Sequence, residues 1–125
     1  MRSVIFDPDQ AGNSVPQIID EPAFEQVDSW EGQPMAGVEI CDLETRGEIE
    51  LQLVKIAAGG RFVMHTSPKL AFCHIVSGAG VLGLPGGSLP YRSPQTFVFH
   101  PGALHDWHDV TEDTLLSVAI MPDRP

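Results

Sequence analysis

The sequence predicts an all-β protein, an antiparallel jelly-roll barrel or sandwich in a single domain, and three observations carry that expectation. Apolar residues come in runs of four to nine, too short for most helices. Gly- and Pro-rich stretches such as "AAGG", "SGAG", "LPGGSLP" and "HPGA" punctuate those runs as turns would. No window offers a long apolar stripe at the helical period, and 125 residues suit one hydrophobic core.

Taken in order, residues 1–36 carry Pro8, Pro16, Pro22 and Pro34 among many acids, with weak periodicity. Proline removes a ladder donor, so this part is expected to be an extended arm with an edge strand at most. Residues 37–125 are expected to form the barrel. "GVEICDL" opens it, and "EIELQLVKI" alternates with Ile49, Leu51 and Leu53 on one face. "RFVMH", "KLAFCHIV", "GVLGLP", "PQTFVFH", "HDWHDV" and "TLLSVAIM" complete eight candidate strands, the number a jelly roll needs.

Charge narrows the partners. The formal net charge is −10, and residues 51–105 hold no carboxylate but carry Lys55, Arg61, Lys69 and Arg92. Such an acidic total argues against nucleic acid, whose phosphates need clustered Lys and Arg. A positive bias around residues 51–105 suits a carboxylate-bearing small molecule. No run reaches the length of a membrane span, and "MRSVIFDPDQ" lacks the apolar core of a signal peptide. Cys41 and Cys73 lack metal-type or redox-type spacing and read as reduced thiols. The expected location is cytoplasmic.

Residues 48–120 resemble the cupin family through two motifs. Gly59, His65 and Gly78 stand at first-motif stations, and "HPGALHDWHD" supplies Gly102, His105 and Asp109 at the Gly, His and Asn stations of the second. The resemblance implies a cupin-type barrel and a homodimer formed through outer strands or an exchanged N-terminal arm. It also implies one metal ion held by two histidines and a glutamate of the first motif and a histidine of the second. Here Ser67 and Ala71 replace the second histidine and the glutamate, leaving His65 and His105.

Side chains alternate across a strand, so His65 and Ser67 are expected inside, with Ala71, Cys73 and Ile75, and with His105, Trp107 and Asp109. His74, Asp106 and His108 are expected outside. A metal site normally needs three protein ligands. Asp109 is the nearest replacement acid, and Cys73 is a thiolate able to complete His65 and His105 for Fe, Zn, Mn or Ni; the rival role of Cys73 is that of a small buried apolar residue. No metal at all is the other expectation, with His65 and His105 as general base and acid and Asp109 orienting His105 or the substrate. Ser67, Cys73 and Trp107 would then touch the ligand. Two functions stay open: an enzyme of isomerase, lyase or dioxygenase type, and a non-catalytic ligand-binding or sensory module.

Overall fold

The computed structural model describes residues 1–123, among which there is no helix. A hairpin of β1 (Ser3–Pro8) and β2 (Ser14–Ile19) comes first, followed by β3 (Glu25–Gln26). A miniature hairpin of β4 (Ser29–Trp30) and β5 (Gln33–Pro34) leads into β6 (Ala36–Arg46), β7 (Ile49–His65) and β8 (Leu70–Leu84). The last strands are β9 (Gly87–Arg92), β10 (Gln95–Phe99) and β11 (His105–Met121). All pairings are antiparallel, and one seven-stranded sheet runs β10-β8-β11-β7-β6-β3 with β9 also on β8. No helix of the described residues is long and apolar enough to cross a membrane.

Several expected turns are bends inside long strands. "EIELQLVKI" and "RFVMH" are both parts of β7, and "KLAFCHIV" and "GVLGLP" are both parts of β8. "HDWHDV" and "TLLSVAIM" likewise share β11. Gly59 at φ +80° and Gly78 at φ +111° let the chain turn a corner without leaving its ladder, as only a residue without Cβ does readily. Register shifts in β11 opposite both neighbours mark the same corner. The three longest strands therefore wrap the core, each contributing at both ends.

The N-terminal part holds more structure than an arm with one edge strand. β1 and β2 form a separate two-stranded sheet, and β3 supplies the edge strand beside β6. Tight packing lies between the strand faces, where Val38, Ile56 and Ile75 are wholly buried beside Leu82, Leu116 and Trp107. Burial of each such side chain is worth roughly 1.5–3 kcal/mol.

Ile49, Leu51 and Leu53 share a face at the start of β7 that points away from the cavity, and Leu53 alone of the three is buried there. Ile49 and Leu51 are exposed, while Glu50 and Gln52 line an internal cavity with Val54. A register shift between His65 and Phe62 opposite β11 explains this. It changes the parity of inward positions, so His65 looks in from an odd number and residues 50, 52 and 54 from even ones.

Candidate functional site

The cavity lined by β4, β6, β7, β8, β10 and β11 has a volume of about 370 Å³. It is lined by Trp30, Phe62, Phe99 and Trp107, by His65 and His105, and by Ala71 and Cys73. Glu31, Glu50, Gln52, Ser67, Lys69 and His100 add polar groups to the lining. Such a mostly apolar hollow with a few polar groups has the form of a small-molecule site.

His65 and His105 face each other as a cross-strand pair of β7 and β11, with ring centroids 4.3 Å apart and planes at 61°. Phe99 stacks on His105 at 3.7 Å and 8°, and Phe62 sits 4.3 Å from His65. Each imidazole is pinned by the backbone two residues before it. His65 Nδ1 lies 2.7 Å from the Val63 carbonyl oxygen and His105 Nδ1 lies 3.1 Å from that of Ala103. A carbonyl only accepts, so both Nδ1 atoms carry the proton and both Nε2 atoms keep a lone pair.

Both rings prefer to be neutral. Burial lowers the His65 pKa, against smaller opposing effects of the Val63 carbonyl, Glu31 and Asp106. Burial, reinforced by the neighbouring His65, lowers that of His105 to about 4. The pair is thus two proton acceptors held side by side among aromatic rings.

The other expected site residues divide. Trp107 lines the cavity at 2% exposure, with its ring 6.1 Å from that of His105. Ser67 reaches the rim, where its hydroxyl accepts from the Lys69 N–H at 3.0 Å and its carbonyl accepts from the Gly102 N–H at 2.9 Å. The first bond closes the β7–β8 turn, and the second ties that turn to the loop before β11. Asp109 is not in the cavity: its side chain is 80% exposed, and its backbone is left-handed at φ 45°. That conformation breaks strand alternation one step after Trp107, so Val110 is buried where Asp109 was expected. His74 is exposed as expected, and Asp106 and His108 bond to each other away from the cavity, Asp106 being buried beside Gly83.

The proposed metal set does not assemble. Among the described residues no three His, Cys, Asp or Glu side chains gather closely enough to hold an ion. Cys73 lines the cavity, yet burial pushes its thiol up to about 12, so it stays protonated as a small core residue. Ala71 offers no donor, and the Ser67 hydroxyl is engaged in the rim turn. The residues present do not fit the four-ligand metal site that the cupin resemblance implies.

The expected positive bias is also absent from the cavity. Of Arg61, Lys69 and Arg92, Lys69 alone lines it, donating to the Glu48 carbonyl at 3.0 Å and lying 3.8 Å from Glu50. Arg92 pairs with Glu112 outside. With Glu31 and Glu50 in the lining, the hollow does not favour a carboxylate-bearing ligand. Trp30, Phe62, Phe99, Glu50 and Gln52 were not singled out from the sequence. Only "PQTFVFH" hinted at one of them, since Phe99 ends a run of alternating aromatics.

No family model and no curated protein matches this sequence. Solved structures do match. A predicted oxalate decarboxylase from Thermotoga maritima aligns with TM-score 0.71 and 18% identity over 82% of this chain and 94% of the other. A cupin domain from Schizosaccharomyces pombe aligns with TM-score 0.72 and 10% identity over 98% and 88%. The polyketide cyclase RemF from Streptomyces resistomycificus aligns with TM-score 0.67 and 16% identity over 84% and 78%. The chain has the cupin fold, an all-β antiparallel jelly roll, and the neighbours include enzymes of several reaction types.

Proposed function

We propose that this cupin-fold chain binds a small, planar, largely apolar molecule in its cavity and moves a proton on it through His65 and His105. The carrying observation is the facing pair of Nδ1–H imidazoles, whose Nε2 lone pairs are fixed by backbone carbonyls within an aromatic hollow. A neutral imidazole within reach of a carbon acid beside a carbonyl is a general base: its Nε2 takes the proton as the C–H electrons pass into the enolate, and the imidazolium so formed, directly or after handing the proton to the facing Nε2, returns it to another atom of the molecule. Such a step suits an isomerase or lyase. It asks nothing of Asp109 and needs no third metal donor.

The test is deuterium uptake in heavy water by β-tetralone, an aromatic ketone with acidic hydrogens beside its carbonyl. Wild-type protein is expected to speed exchange, and His65→Gln with His105→Gln to lower the rate by about 100-fold or more. Treatment with a chelator is expected to leave the rate unchanged. Tight ketone binding with no exchange would move the chain to the non-catalytic, ligand-binding class.

A homodimer belongs to the same proposal. The β1–β2 hairpin lies outside the main sheet and exposes Val4, Phe6, Val15 and Ile18. An isolated two-stranded hairpin is marginal in water, which supports a second copy covering it. Free, buried Cys41 and Cys73 support a reducing compartment such as the cytoplasm.

A further inference from the structure

The β4–β5 hairpin forms its own two-stranded sheet, with no ladder to the barrel. Its tip is the pair Glu31 and Gly32 at φ 50° and 81°, the left-handed pairing of a tight two-residue turn. At its base the Met35 N–H donates to the Asp28 carbonyl at 2.8 Å, so residues 29–34 form a short, clipped flap. The flap lays Trp30 along the cavity wall, 5.5 Å from Phe62 and 6.2 Å from His65 between ring centroids.

Trp30 Nε1 stands apart among the buried side-chain polar atoms of the described residues. Among the described residues it is the buried side-chain polar atom that has no hydrogen-bond partner. Shut away from solvent as well, an unmet N–H costs about 1–3 kcal/mol. The rest of the lining mixes acceptors and donors. His65 and His105 offer lone pairs, and Glu31 and Glu50 are acceptors. The Lys69 ammonium and the Gln52 amide already donate to the Glu48 carbonyl and to Asp42 Oδ1. An acceptor oxygen brought into this hollow would give the Trp30 N–H the partner it lacks.

We propose that the β4–β5 hairpin is a flap over the cavity, and that Trp30 Nε1–H donates to an acceptor oxygen of the bound molecule beside His65. This inference rests on the reading of the cavity as a ligand site, and it names the ligand class: a planar molecule with a carbonyl or similar oxygen, uncharged at that point. Because the N–H is shut off from solvent, binding includes a small movement of the flap that turns the indole toward the ligand. The closed flap then covers the oxygen from solvent and strengthens the new bond.

Trp30 and Trp107 are the chain's two tryptophans, so nitrogen–proton correlation spectra contain two indole signals, and Trp30→Phe identifies them. β-Tetralone, which carries an acceptor oxygen, is titrated beside tetralin, the same ring system without it. The ketone is expected to move the Trp30 indole proton downfield, and tetralin is not. Trp30→Phe, which keeps an aromatic ring but loses the N–H, is expected to weaken the ketone by about 3- to 10-fold while leaving tetralin within about twofold. Equal weakening of both probes, a Trp30 signal unmoved by bound ketone, or no ketone binding would overturn the proposal. Bound ketone that shifts the Trp30 signal but exchanges no deuterium refutes proton transfer and leaves the Trp30 contact standing.

Discussion

The imidazole of His105 is stacked on Phe99, faces His65 and spends its one N–H on Ala103, so an added proton would find no solvent and a second imidazole nearby. Its pKa near 4 in the folded chain, against about 6.5 when unfolded, makes a statement about stability. Between those values the unfolded state binds the extra proton, so stability is full above about pH 6.5 and is lost as pH falls toward 4. The total is about 3 kcal/mol, with His65 acting in the same direction. Urea melts are expected to show midpoints falling between about pH 7 and about pH 4, and His105→Leu to flatten that fall. An unchanged slope in the variant would place the titration elsewhere. At this scale the sequence was legible where the cupin resemblance fixed a position: His65 and His105 came from that resemblance, and Trp107 from strand alternation. Asp109 did not, because a single left-handed residue reverses the faces after Trp107, and alternation has no way to foresee it.

At the scale of the strand, the corners decide what the cavity contains. β8 bends at Gly78 directly under β11: a Cβ built there would lie 2.6 Å from Thr114 Cα and 2.7 Å from the Asp113 carbonyl oxygen. Both are backbone neighbours that cannot swing aside, and φ +111° is unfavourable for any residue with a side chain. Gly78→Ala is therefore expected to cost about 3 kcal/mol or more, read as a drop in thermal midpoint, whereas Gly86→Ala, with open space around it, is expected to be near neutral. Similar losses in both variants would show that the corner is soft. The same corners explain what the turn signals concealed. Gly-rich "AAGG" and "SGAG" looked like breaks between strands, and the existence of the strands was legible. Their continuity was not, because a glycine bend and a turn share a composition and differ only in whether the ladder continues. Trp30 and Glu31 stayed hidden for a related reason: a two-residue strand on each side of a tight turn leaves no periodicity to find.

Across the described residues, exposed apolar side chains include single ones such as Leu89 and Leu104 and two groups. The β1–β2 hairpin exposes Val4, Phe6 and Ile18, with Phe6 at 62%, and the outer face of the main sheet exposes Leu51, Phe72 and Val98. On that face Val98 pairs with Phe72, Phe72 with Ala119, and Ala119 with Leu51, so they form one row across β10, β8, β11 and β7. A row of this kind is unusual on a monomer's surface unless something covers it. The hairpin of a second copy is an occupant of matching chemistry, and in a two-fold pair each chain would cover the other. Light scattering at micromolar concentration is expected to give twice the chain mass. Phe6→Glu and Phe72→Glu are each expected to shift the protein toward monomer, because a carboxylate buried there loses its hydration. Neither residue lines the cavity, so ketone binding by the monomeric variants is expected to persist within a few-fold. A wild-type monomer would leave the row unexplained by self-association. A dimer unaffected by both substitutions would move the interface to another face.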